Sequence, residues 1–458
     1  MVLYTAFFLF SALVAALILF AAVSFDGTQL FMLPSFFVLW LLFSKSLFLY
    51  YRKSIVFKVF LITALARYVL IPFFYYFQSS YMSLSGTSTE IYLSIIIMGV
   101  ELLLCSLCFS FFSKQQKRSL NNEKKVSLFL DNKITVLLIL SLIGFYLLGT
   151  GVFNKINFVW ALNDYAQKTT EGDIGEVAGY GGILFLVFRV VIVLLLVTII
   201  YKAKIASSIK PYLYLLVVVS ASVVIIGLSR FSMLLFALPI LILINKLTPE
   251  KQIDKIKKLN ICLLILLMFF ITLSTIAKFS RYDTEFHWSN IVTTSTLNAY
   301  FTGVGGISAG ISNAEASPLH ESPLFILHDM IRNVPILSKL SSDRFSTSAA
   351  YNKDVLGHDL WADKIVPLSV TGVYHFGVFG VGLYHVLFLS LALYFERLSC
   401  KQHYIGYKFL CIDLSIRLSL IFMLNIGSFY SGFSRSLLFV FLPLFLIRTI
   451  RLRTGRLT

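Results

Sequence analysis

"VVVSASVVIIGLSRFSMLLFALPILILINK" (217–246) is apolar at nearly every position, yet Arg230 stands near its middle. How this stretch folds decides how the whole chain is threaded. From Tyr212 to Asn245 is 34 residues. As one helix that is about 51 Å at ~1.5 Å per residue, against a hydrocarbon core of ~30 Å. A guanidinium held in mid-bilayer costs roughly 2.5–3.5 kcal/mol on insertion scales. Two short spans joined by a tight turn at "GLSR" remove both difficulties. Each arm then has about 17 residues, the lower limit for crossing, and Arg230 sits at an outer-face hairpin tip.

The rest of the chain supports that threading. Its 458 residues are 58% hydrophobic and only 13% charged, with a mean hydropathy of +0.85. Soluble proteins carry about 25% charged residues. Apolar runs recur throughout and are continuous rather than alternating, which predicts transmembrane helices and not an outer-membrane barrel. The fold class expected is an all-α polytopic membrane protein with about 12 transmembrane helices. They lie at roughly 3–23, 31–50, 55–77, 90–112, 134–151, 182–201, 212–228, 231–246, 259–277, 366–395, 408–428 and 435–448.

The net charge of +17 is not a nucleic-acid footprint, because its Lys and Arg fall in short loops between spans. Alternate loops (44–58, 113–133, 202–210, 246–258, 396–408 and the tail from Arg448) hold 25 Lys and Arg against five acids. The opposite set holds 11 against 15. The positive-inside rule then places both termini in the cytoplasm. Reading 217–246 as a single span would move Lys246, Lys251, Lys255, Lys257 and Lys258 outside and reverse every later loop. The first segment lacks a basic n-region and reads as a retained span rather than a cleaved signal.

A single integral membrane domain, 1–458, follows, with two larger outer loops at 152–180 and 278–365. A structureless loop of the second one's length is uncommon unless it has a function. Within it, "IVTTSTLNAYFTGVGGISAGISNA" (291–314) reads as a small-residue helix lying at the interface, and "SPLFILHDMIRNVPIL" (322–337) as an amphipathic helix. Cys105 and Cys108 form a C-x-x-C inside an apolar run, where redox or zinc chemistry is not expected.

Arginines near the outer face carry the clearest chemistry. Arg230, Arg281 and Arg435 stand at outer span ends in similar contexts: "GLSRFSML", "AKFSRYDT" and "SGFSRSLLF". Arg344 lies in the large loop, and Arg189 about two turns below the outer end of its span. Guanidinium forks converging on one cavity suit a diphosphate; the alternative is headgroup snorkelling or helix capping. Glu101 has Arg67 or Arg189 as a partner, or lines a polar cavity. Asp413 and Arg417 stand at i,i+4 as a helix pair. All seven histidines follow residue 286, but no spaced ligand set such as H-E-x-x-H occurs, so no metal is expected. In "PLSVTGVYHFGVFGVGLYHVLF" (367–388), Gly372, Gly377, Gly380 and Gly382 permit close approach of another helix, with His375 beside them.

The layout of many spans with one dominant outer loop resembles bacterial O-antigen (oligosaccharide repeat-unit) polymerases of the Wzy type. Locally the resemblance rests on "GLSRFSML", "NAYFTGVGG" and "VPLSVTGVYHFGVFGVGL". It implies a GT-C-like, cofactor- and metal-independent glycosyltransferase at the periplasmic face of the inner membrane. Its partners would be undecaprenyl-diphosphate-linked oligosaccharide, membrane lipids and a chain-length regulator protein, with no nucleic acid. The growing glycan would pass to a new lipid-linked repeat unit as lipid diphosphate leaves. That needs cationic groups for the diphosphate, met by Arg230, Arg281, Arg435, Arg344 and Arg189. It needs a base for the attacking hydroxyl, with His320, Glu321, His328, Asp329, His358, Asp359 and His375 as candidates among which the sequence does not choose. Trp288, Tyr300, Tyr351 and Trp361 are the candidate sugar-stacking rings. An O-antigen ligase and a lipid-linked oligosaccharide flippase are the alternatives, the long outer loop counting against the flippase.

Overall fold

The computed structural model describes residues 25–84, 87–121, 133–149, 156–158, 180–206, 208–226, 230–248, 300–314, 324–332, 346–356 and 365–449, with isolated positions between them. These residues are predominantly helical. In chain order the helices begin with α1 (Met32–Phe43), α2 (Lys45–Tyr51), α3 (Ile55–Leu65), α4 (Ile71–Phe77), α5 (Ser88–Asn121) and α6 (Lys133–Gly149). A short strand β1 (Ile156–Phe158) precedes α7 (Tyr180–Lys202) and α8 (Lys210–Val223), and β2 (Val224–Ile226) precedes α9 (Arg230–Leu247). Then come α10 (Val304–Ala314), α11 (Leu324–Arg332), α12 (Thr347–Leu356), α13 (Leu368–Phe376) and α14 (Leu383–Lys401). The last three are α15 (Ile405–Ser419), α16 (Ile426–Arg435) and α17 (Leu442–Thr449).

Among the described residues four helical stretches are long and apolar enough to cross a membrane: Ile55–Phe77, Ser88–Gln115, Ile183–Lys202 and Ile426–Thr449. Two sharply bent pairs bring the number to six where each counts as one span. Large apolar side chains stand outward on these helices. Leu42, Ile62, Phe77 and Phe111 are all more than two-thirds exposed, the surface that a lipid environment covers and water does not favour. The chain divides into two compact units: Met1–Glu123 with Trp288–Arg397 and Ser415–Phe433, and Lys124–His287 with Leu398–Leu414 and Ser434–Thr458.

In the first unit, α5 is the post on which earlier helices end their polar tips. Trp40 Nε1 donates to Ser106 Oγ at 2.5 Å, Tyr51 O–H to the Phe109 carbonyl at 2.6 Å, and Tyr68 O–H to the Met98 carbonyl at 2.7 Å. The rings themselves pack with Phe37, Phe57, Phe60 and Phe109. Leaving one such buried donor without its acceptor costs about 1–3 kcal/mol. Helix α3 starts at Ser54, whose Oγ accepts the Phe57 N–H. The buried carboxylate of Glu396, on α14, accepts from Ser54 Oγ at 2.6 Å and from the Ile55 N–H, a negative charge where the helix dipole favours one. Between α3 and α4 the chain widens into a π turn, Ala66–Leu70, around Arg67. Pro72, which has no N–H for the carbonyl one turn back, follows directly.

In the second unit the stretch 217–246 is broken rather than one continuous helix. Helix α8 ends at Val223, and Val224–Ile226 pairs antiparallel with β1, Ile226 opposite Ile156. β-Branched residues at 223–226 favour the extended form. The first arm is therefore 14 residues, about 21 Å, shorter than the 17 expected. Arg189 of α7 ties the break. Its Nη1 donates to the Val224 carbonyl at 2.8 Å, and its guanidinium lies 3.5 Å from the ring centre of Phe236 on α9. That carbonyl is left over where the helix stops, and the cation supplies its donor.

Other boundaries differ from the sequence reading, mostly because apolarity continues through a break. The span at 31–50 bends by 66° at Ser44, and that at 366–395 by 109° between Gly380 and Leu383. Of the latter's glycines, Gly382 does receive another helix, since a Cβ there would lie 2.4 Å from Leu104 Cδ1 on α5. Gly372 and Gly380 press on each other, so that a Cβ on Gly372 would lie 2.0 Å from the Gly380 carbonyl oxygen. The spans expected at 408–428 and 435–448 are redistributed: α15 stops at Ser419, and one helical run extends over Ile426–Thr449. Arg435 thus lies ten residues into a continuous run, just before a π turn at Ser436–Phe441, and not at a span end. The described part of the small-residue segment holds α10, which is buried rather than interfacial: Val304, Ile307, Ser308 and Ala309 are all under 4% exposed. The first span and most of the ninth lie outside the described residues, as does 159–179.

Candidate functional site

The first unit holds a cleft of about 270 Å³. Two short segments of the large-loop region, α13 and the start of α16 build it. Asp329 and Arg332 come from the last turn of α11, one turn apart on the same face. Ser346, Thr347 and Ser348 are the entry to α12, Thr371 projects from α13, and Asn425 to Ser428 with Ser431 form the first turns of α16.

Each helix start is set by a local cap. Ser346 Oγ accepts the Ala349 N–H at 3.4 Å, and Asn425 Oδ1 accepts the Ser428 N–H at 2.8 Å, the side-chain capping that Ser and Asn favour. Two helix N-termini therefore line one cleft together with an arginine. Helix N-termini carry partial positive charge and inward N–H groups, a setting suited to anions. One anion is already built in, since the Thr347 N–H donates to Asp329 Oδ1 at 3.1 Å.

His375 lies behind this wall with no exposed side-chain surface. Its Nε2 is 2.8 Å from Thr347 Oγ1 and 3.3 Å from Asp329 Oδ2, and its Nδ1 is 2.6 Å from the Tyr384 hydroxyl. With a proton on Nε2 the ring donates to Thr347 Oγ1, and Tyr384 O–H donates to Nδ1; this tautomer is assigned from the neighbours. The result is a line from cleft to interior: Asp329 at the wall, His375 behind it, Tyr384 beyond. The glycine bend allows it, because Gly377 (φ +63°) and Gly382 (φ +77°) take left-handed conformations and bring His375 back to Tyr384. Behind α13, Gly310 of α10 admits Val370 so closely that a Cβ would meet Val370 Cγ1 at 2.5 Å.

Of the base candidates, the structure brings Asp329 and His375 together. His328 is half-buried on α11, about 100° round the helix from its neighbour Asp329, and does not line the cleft. His320, Glu321, His358 and Asp359 lie outside the described residues. So do Arg281, Arg344, Trp288, Trp361 and the side chain of Arg230, which is the first residue of α9. Arg189 and Arg435 belong to the second unit, Arg189 being engaged at the break in 217–246. Tyr300 is half-buried. Tyr351 is corrected from a sugar platform to a pillar. It is 1% exposed and its hydroxyl donates to the Gly306 carbonyl at 2.9 Å, while burial pushes the phenol's pKa up.

Arg332, Thr347 and the α16 start were not among the residues expected. The cap sequences "STS" (346–348) and "NIGS" (425–428) were the available signals. Glu101 pairs with Arg67, one of the two partners the sequence allowed, at 2.9 Å with both side chains fully buried. Cys105 and Cys108 are buried free thiols, Cys108 lying 3.2 Å from Ser390 Oγ. No protein-family model matches the chain, and comparison with curated proteins and with solved structures gives no match.

Proposed function

We propose that the protein polymerises lipid-linked oligosaccharide repeat units, as a twelve-span, GT-C-like glycosyltransferase of the Wzy type in a bacterial inner membrane, with both termini cytoplasmic. The observation that carries this reading is the pairing of a carboxylate–imidazole line with a cationic wall in one cleft. The two requirements of glycosyl transfer from a lipid diphosphate are a proton acceptor and a place for the departing negative charge.

In this reading the acceptor sugar's hydroxyl oxygen bonds to the anomeric carbon of the donor as the bond from that carbon to the diphosphate oxygen breaks. The hydroxyl proton passes to Asp329, which faces the cleft. His375 shares and orients that carboxylate, and Tyr384 fixes the ring. Arg332 and the first turns of α12 and α16 receive the charge developing on the diphosphate. Arg230, Arg281 and Arg344 remain proposed contributors at the outer face.

The test is deletion of the gene in its native host, with lipopolysaccharide resolved on a gel. Loss of a polymerase leaves core bearing a single repeat unit. Bare core, the result of losing a ligase or a flippase, would sink the proposal.

A further inference from the structure

The helix packing places a second polar cluster inside the membrane region of the first unit, apart from the cleft. Arg67 and Glu101 stand within one residue of the midpoints of their spans, Ile55–Phe77 and Ser88–Gln115. Arg67 Nη2 donates to both Glu101 oxygens, at 3.2 and 2.9 Å. His385, on α14, has its Nε2 3.8 Å from Glu101 Oε1 and no exposed surface. The ring of Phe422 closes one side, 4.9 Å from the guanidinium carbon and 5.6 Å from the imidazole centre.

The hydrogen bonding of this cluster does not close on itself. Among the described residues, Arg67 Nε, Arg67 Nη1, His385 Nδ1 and His385 Nε2 are buried with no hydrogen-bond partner. A guanidinium has five N–H bonds, of which Nη2 carries two. Nε and Nη1 therefore present three N–H groups, and a neutral imidazole presents a fourth with one bare nitrogen. Orphaned donors in an apolar interior cost several kcal/mol each. One water oxygen accepts about two hydrogen bonds, so about two waters are the minimum that relieves four donors. Such waters can also donate to the bare imidazole nitrogen and to the free lone pairs of Glu101. The π turn at Ala66–Leu70 widens the backbone where Arg67 projects.

We infer that the Arg67–Glu101–His385 cluster is a binding site for at least two ordered water molecules at the middle of the membrane. The site does not depend on the polymerase reading. Tyr384 and His385 are consecutive, so the first turn of α14 has the cleft's histidine line on one side and the hydrated cluster on the other.

X-ray radiolytic footprinting of the full chain in lipid nanodiscs tests this, because bound water generates hydroxyl radicals in place. Tyr68, whose hydroxyl is 3.4 Å from Glu101 Oε2, and Phe422 are expected to oxidise at least about tenfold faster than Phe37, which is equally buried. Rates for Tyr68 and Phe422 no greater than that of Phe37 would overturn the inference. In the triple variant Arg67→Met, Glu101→Met, His385→Phe, the excess should vanish while the chain stays folded; persistence of the excess in a folded variant also overturns it. Should that variant fail to fold, the native-chain rates alone decide.

Discussion

Two histidines ten residues apart meet carboxylates in opposite ways. His375 has partners on both ring nitrogens, and its carboxylate, Asp329, lines a cleft. His385 has its carboxylate, Glu101, at 3.8 Å, and that carboxylate is already committed to Arg67. The first arrangement fixes a ring between groups that can exchange a proton at a surface a ligand can reach. The second neutralises a charge in the span interior and leaves polar atoms for water. Burial alone does not separate a reactive pair from a structural one. What separates them is whether the carboxylate's opposite side faces an open cleft or a cation.

The difference can be broken from either end. Asp329→Asn keeps the shape of the cleft wall but removes the proton acceptor. Polymer per unit protein, read from the lipopolysaccharide ladder, is expected to fall by about 10²–10⁴-fold with a melting temperature close to that of the native chain. Arg67→Met acts on stability instead, because it leaves Glu101 buried and unpaired. A loss of about 3–5 kcal/mol is expected, measured by thermal unfolding in detergent, and Arg67→Met with Glu101→Met should restore most of it. A single variant no less stable than the native chain would contradict the ion pair's geometry. Gly372→Ala forces the bend open against the Gly380 carbonyl. A loss of about 1–3 kcal/mol is expected, together with reduced polymer, since His375 moves with α13. Smallest is Tyr384→Phe, which makes His375 resemble His385 by stripping one partner. A loss of about 0.5–1.5 kcal/mol of positioning corresponds to roughly two- to tenfold less polymer. An altered pH profile is the accompanying sign of a positioning role; an unchanged profile and ladder would remove Tyr384 from the line.

Spans with an uninterrupted apolar run were legible from residues alone. Those expected at 55–77, 90–112 and 182–201 match Ile55–Phe77, Ser88–Gln115 and Ile183–Lys202 within a few residues. Breaks were legible only where charge forced them, as at 217–246. Bends at Ser44 and at Gly380–Leu383 change direction without changing polarity, and hydropathy is blind to direction. Of the site, Asp329 and His375 were visible as chemistry but not as a pair, being 46 residues apart. Their meeting depends on a glycine bend and on α10 admitting Val370, contacts with no one-dimensional trace. The caps at Ser346 and Asn425 had a trace, but a three-residue polar motif in an apolar chain reads first as a loop.

The bend at Gly380–Leu383 has a consequence for biogenesis. Helix α13 has nine residues, about 13 Å of rise, too short to be inserted as a span by the machinery that delivers hydrophobic segments to the bilayer. Only α14, with 19 residues, approaches the necessary length. His375 therefore reaches Asp329 by tertiary folding after insertion, onto a platform from α10 to α12 that left the ribosome earlier. Newly inserted chains would pass through a stage with their spans in place and the site still unassembled, when quality-control proteases can distinguish finished from unfinished molecules.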